Sequence, residues 1–276
     1  MQETTQRSPL TAAITIVTLL FLVVPLAIVV LFSFNDTASL SFPFSGPSLR
    51  WYRDVFSSFE FREATTNSFY IALTVSALAL LLGTLAAYGL SRSASRRRGL
   101  LGLLFFLPIT LPGLFIGSAL LLFFSRLEVG LSLFTVGIGH FLFVFPYFLL
   151  IAGAAFSRLD PALEEAAADL GASPWLVFRR VTLPQIWPIL VGATSLAFAL
   201  SFDEFVITFF VAGSDSTLPL FIWSSMRRTI DPSINAISTL LMAVTLVLFA
   251  LGFLLTLRNQ RRSGYADEAA FIGEER

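Results

Sequence analysis

Two adjacent acids, Asp203 and Glu204, stand in a run with no other charged side chain between Arg180 and Asp215. An acid at the middle of a membrane helix costs about 2.5–3.5 kcal/mol on insertion scales, so such a pair faces a bundle interior or a water-filled cavity rather than lipid. Thr194, Ser201, Glu204 and Thr208 follow one another at steps of 7, 3 and 4 and share one helix face. Asp203 lies about 100° round from Glu204. At a rise of about 1.5 Å per residue it is roughly 24 Å along the helix from Trp187, past the midplane. A polar stripe carrying a carboxylate suits a cationic solute, and Phe202, Phe205 and Phe209 can add cation–π contacts. The same acids also suit a pairing role with an arginine or a neighbouring subunit. The substrate-pathway candidates are therefore Asp203, Glu204, Ser201 and Thr208, with Glu204 first on geometry.

No catalytic set accompanies them. The chain has one histidine, His140, and no cysteine, so no metal or thiolate site is expected. Packing or a helix–helix hydrogen bond is the expected role of His140. All 18 basic residues are arginine. A P-loop needs a lysine at the β/γ-phosphates. If ATP drives this protein, another chain binds it, and no cofactor is expected on this one.

Hydrophobic residues make up 56% of the 276 and charged residues 13%, about half the charge of an ordinary soluble domain. That excludes a disordered chain and a basic nucleic-acid binder. About 20 apolar residues cross a bilayer, and the uncharged runs predict six spans, near 10–33, 66–90, 100–125, 131–156, 187–211 and 234–257. The fold class is all-α, a polytopic membrane protein with one transmembrane domain over 1–257 and a polar tail over 258–276. The first span is too long for a signal peptide's apolar region and is expected to be retained. Arg50, Arg53, Arg62, Arg126, Arg227 and Arg228 fall on one side and the other arginines, including Arg92, Arg96, Arg97 and Arg98, on the opposite one. The positive-inside rule then puts both termini in the cytoplasm. Trp51, Tyr52, Trp187 and Trp223 lie near span ends, as interfacial aromatics do. Pro108, Pro112, Gly113 and Gly117 in the third span, and Pro146 in the fourth, mark either ordinary kinks or breaks beside a cavity.

The long inner connection, 158–186, has a clear local grammar. Asp160 is a good N-cap with Pro161 at the first helical position. Leu163, Ala166, Ala167 and Leu170 form an apolar stripe. Glu164 and Glu165 suit the first turn, and Gly171 suits a left-handed cap. Ser173-Pro174 opens a second helix, and Thr182-Leu183-Pro184 is expected to turn the chain back towards the membrane. A helix, a glycine turn and a second helix thus stand on the inner face.

The spacing Glu165-Ala166-Ala167, three residues, Gly171, nine residues, Val181, one residue, Leu183-Pro184 resembles the EAA loop of permease subunits of binding-protein-dependent ABC importers. That family usually carries Ile where this chain has Val181. GTLAAYGLSR at 83–92 and GHFLFVFPYFLL at 139–150 are similar to the family's second and fourth spans. The stretch from Ser201 to Leu241 resembles the second membrane subunit of spermidine/putrescine importers. The resemblance implies a type I importer permease fold in a bacterial inner membrane. It implies a coupling role for Glu165, Ala166, Ala167, Gly171, Val181, Leu183 and Pro184. The implied partners are a second homologous permease subunit, two ABC ATPases that hold ATP and Mg, an extracytoplasmic solute-binding protein and membrane lipid, with no nucleic acid. The implied solute is a polyamine. Another small solute (an amino acid derivative, a phosphonate or ferric iron) is the alternative, and a secondary cation transporter using the two acids is a further one.

Overall fold

The computed structural model describes residues 9–37, 46–93, 98–228, 232–247 and 250. Among them the chain is helical, with one isolated bridge between Asn35 and Pro47. Four helical runs are long and apolar enough to cross a membrane: Leu10–Ser33, Phe59–Arg92, Leu133–Ser157 and Pro174–Phe202.

The elements divide into two compact units, Met1–Arg62 with Ile222–Val244, and Glu63–Phe221 with Thr245–Arg276. In the first, α1 (Pro9–Ser33) is an apolar helix exposed along most of its length and buried at Phe32 and Ser33. It ends in a polar knot with α2 (Arg50–Ser57). Trp51 Nε1 donates to Asn35 O at 2.6 Å, and Ser33 Oγ and Tyr52 Oη share a bond of 2.7 Å.

The second unit carries the candidate sites. Helix α3 (Phe59–Leu78) continues through a widened π turn, Ala79–Gly83, into α4 (Thr84–Arg92). The third predicted span is broken: α5 (Arg98–Thr110) and α6 (Gly113–Arg126) meet at a bend of 104°. Pro112 has no N–H to donate and disfavours the α conformation at Leu111, which suits the chain to a break at this point. Pro146, by contrast, lies inside the uninterrupted α7 (Leu133–Ser157). Helix α7 packs against α4, α5 and α6 and buries Val136, His140, Val144, Phe148 and Ala152 on one stripe.

The connection after α7 forms α8 (Pro161–Asp169) and α9 (Pro174–Val177). The expected turn at Thr182-Leu183-Pro184 is not a turn. A π turn, Phe178–Thr182, carries α9 straight into α10 (Leu183–Phe202). The wider turn lies just before Pro184, where a regular α ladder would lose a donor. The fifth span therefore starts its helix earlier than 187, and it breaks at Asp203 before α11 (Val206–Val211). Helix α12 (Leu218–Arg228) follows. A shorter apolar helix, α13, spans Ser233–Val247. Beyond it the sixth predicted span is described only at residue 250, and the tail 258–276 lies outside the described residues.

Glycine brings α6, α7 and α11 together. A side-chain carbon on Gly117 would sit 2.7 Å from the Phe210 ring, and one on Gly139 2.6 Å from Ile207. Small residues at helix contacts serve this purpose where no water drives association.

Candidate functional site

Two regions carry the residues singled out above. The first is the 158–186 hairpin. Asp160 caps α8 through Oδ1, which accepts from Ala162 N at 3.0 Å, and Ser173 Oγ caps α9 by accepting from Leu176 N. Between them the chain turns at Gly171, φ +84°. Gly171 N donates to Ala168 O at 2.8 Å and Ala172 N to Ala167 O at 3.1 Å, the pair of bonds that defines a Schellman turn. The expected left-handed cap is present.

The orientation of α8 reverses the usual rule for an amphipathic helix. Its apolar stripe points away from the unit: Leu163 is 49% exposed and Leu170 90%. Glu165 and Ala166 are exposed and Ala167 half-buried. Trp175 is also exposed, so apolar surface continues across the turn. Val181 and Leu183 are half-buried on the helix beyond, and Pro184 is exposed.

The inward side of α8 is a carboxylate. Glu164 accepts from Arg92 Nε at 2.9 Å and Nη2 at 2.8 Å, and its Oε1 also accepts from Thr182 Oγ1 at 2.8 Å. Burial works to raise the Glu164 pKa. The hydrogen bonds from Arg92 and Thr182 and the Arg92 charge outweigh it and hold the carboxyl below its ordinary range. An aromatic row lies alongside. The Tyr88 ring sits 5.4 Å from Phe156 and 4.8 Å from Phe178, and Trp175 stacks on Phe178 at 5.6 Å. Sequence reasoning assigned Glu164 to the helix dipole and Arg92 to the charge asymmetry, and missed their pairing. Opposite charges at one predicted membrane edge were the available signal, but 72 residues separate them.

The second region is the break between α10 and α11. Asp203 is exposed and Glu204 half-buried. Glu204 Oε1 accepts from Ile207 N at 2.9 Å, so its side chain closes the first turn of α11. Ser201 and Thr208 are 2% and 0% exposed and do not line an open surface. Instead both bond His140, Ser201 Oγ to Nδ1 at 2.9 Å and Thr208 Oγ1 to Nε2 at 2.8 Å. Thr208 gives its single hydroxyl proton to Glu204 O at 3.0 Å. Nε2 therefore donates to Thr208. One imidazole thus ties Ser201, before the break, to Thr208, after it. The break also faces the α5–α6 elbow: a side-chain carbon on Gly113 would lie 3.7 Å from Val206 and 3.9 Å from Glu204 Oε1. Two interrupted helices meet at the acids. Among the described residues no group of three or more His, Cys, Asp or Glu could hold a metal ion.

Known proteins share this architecture. The pattern of the family described as binding-protein-dependent transport system inner membrane component matches residues 79–263. The putrescine transport system permease protein PotI of Escherichia coli K12 is 35% identical over 266 residues, covering 93% of this chain and 94% of that one. The spermidine/putrescine transport system permease protein PotC of Haemophilus influenzae is 31% identical, covering 87% and 93%. Among solved structures, a bacterial ABC transporter involved in import of the acidic polysaccharide alginate aligns at a TM-score of 0.71. Its identity is 16%, over 88% of this chain and 93% of that one, a likeness of fold alone.

Proposed function

This chain belongs to the family of binding-protein-dependent transport system inner membrane components and is a permease subunit of an ABC importer; on that footing we propose that it moves a polyamine, putrescine or spermidine, inward across the bacterial inner membrane. The solute assignment rests on the two polyamine permeases that align along nearly the whole chain. The acids fit it chemically, since Asp203 and Glu204 lie where two interrupted helices meet, the kind of place where transporters build solute sites.

The observation that carries the coupling role is the reversed helix α8. Its leucines face outward and its carboxylate inward, so an apolar ridge is offered to another chain. In this reading six spans place both termini and the hairpin in the cytoplasm. Glu165, Ala166, Ala167 and Gly171 present the ridge to an ATPase subunit, while Val181, Leu183 and Pro184 join it to the fifth span. The ATPases hold ATP and Mg, and this lysine-free chain performs no bond chemistry. A second permease subunit completes the pathway, and a binding protein delivers solute from outside. ATP-driven closure of the ATPases pushes the hairpins, and the spans rock around the acids.

Vesicles holding the complete importer, given its binding protein and radiolabelled putrescine, test the solute. Putrescine should accumulate only with ATP inside, and E204Q should cut initial uptake by roughly tenfold, the loss of about one charge-assisted contact. D203N, at the exposed neighbour, should have the smaller effect. Normal uptake by the double variant D203N/E204Q would remove the acids from the pathway. Uptake of an amino acid but not of putrescine would overturn the solute.

A further inference from the structure

We infer that Arg92, Glu164 and Thr182 form a clamp that makes the hairpin move as one body with the end of α4 and the foot of α10, and that Arg92 and Glu164 are positioning residues for coupling. The inference rests on the reading of the hairpin as the ATPase-facing element. It separates the residues that meet the ATPase from those that pass its motion on.

Helix α8 has nine residues, and none of them is buried. Its apolar ridge faces outward, so packing cannot hold it against the spans. Its covalent ties are the short link after α7 and the turn at Gly171, a flexible residue type in a left-handed conformation. A push on such a helix would bend the hairpin at that turn and leave the spans where they were. Glu164 prevents this. It grips Arg92 by two nearly parallel N–H donors, the geometry in which a guanidinium fixes direction as well as distance. The third bond comes from Thr182, which is fully buried at the foot of the fifth span. Both charged side chains are largely covered, 27% and 16% exposed, so solvent screens the pair less than a surface bridge. The clamp joins α8 to the end of α4, 72 residues away in sequence, and to the foot of α10, and displacement of α8 then reaches two spans at once. Tyr88, seated between Phe156 and Phe178, stiffens the same junction from its apolar side.

The test uses the complete importer in vesicles, with hydrogen exchange of the α8 amides measured alongside putrescine uptake and ATP hydrolysis. E164Q should leave the subunits associated, raise α8 exchange by on the order of tenfold through easier local opening, and lower putrescine moved per ATP by a similar factor. The charge swap R92E/E164R should restore a large part of both, as expected for two residues acting as a pair. Uptake per ATP at the wild-type value in E164Q overturns the inference, whether or not exchange has risen. Loss of the ATPase from E164Q complexes overturns it too, by placing Glu164 in the docking face. A wild-type complex with no ATP-driven uptake strikes at the underlying reading instead, and takes this inference with it.

Discussion

Gly171 shows how far single residues could be read from spacing. A glycine after an apolar helical stripe predicted a left-handed cap, and its φ of +84° with two Schellman bonds is that cap. A β-branched residue there costs about 1–3 kcal/mol of backbone strain. G171V should therefore abolish stimulation of ATP hydrolysis by solute-loaded binding protein while leaving basal hydrolysis intact, measured in vesicles; normal stimulation would contradict the cap's role. His140 was legible only as a helix–helix contact, because its partners Ser201 and Thr208 are 61 and 68 residues away. Removing the ring leaves two buried hydroxyls short of a partner, at about 1–3 kcal/mol. H140A should lower the thermal midpoint of the detergent-solubilised protein by several degrees, and H140Q should recover part of it. Ser201 and Thr208 were placed beside the acids on one face by counting residues. In the folded chain both bond His140 across the break at Asp203, an arrangement no spacing rule contains.

At the scale of elements, the apolar runs set out where helices lie, because burial in lipid demands them. What the runs could not distinguish was a kinked helix from a stopped one. Pro146 sits in an unbroken α7, whereas Pro112 ends α5 with a bend of 104°. Each proline lacks the same donor; the difference lies in tertiary packing, with the glycine at 117 letting α6 settle against α11. The 158–186 hairpin was likewise legible in its caps and opaque in its attachment, since Glu164 meets Arg92 only after folding. That attachment has a pH signature. The Glu164 pKa is depressed in the folded chain, so its contribution is present in full above the unfolded value, near 4.5, and is lost as pH falls through the lower folded value. Hydrogen exchange of α8, corrected for intrinsic rates, should hold level from neutral pH to about 5 and loosen below roughly 4.5. The E164Q variant should show no such step, and a step surviving in it would assign the titration elsewhere.

At the scale of the whole molecule, composition alone indicates a membrane protein, and the family match, to an inner membrane component of binding-protein-dependent transport systems, agrees. An exposed α1 and an outward apolar ridge on α8 are the surfaces such an assembly would cover. Under the proposed function, this ridge meets an ATPase in the cytoplasm and passes its motion to the spans. The natural absence of cysteine makes one measurement direct: L170C carrying a maleimide–benzophenone photocross-linker, illuminated in the assembled importer with and without ATP. The account predicts a cross-link to the ATPase subunit, shifted in yield by ATP, and no labelling of the introduced thiol by an impermeant maleimide added outside intact cells. Labelling from outside, or no ATPase adduct in an importer that still transports, would contradict it.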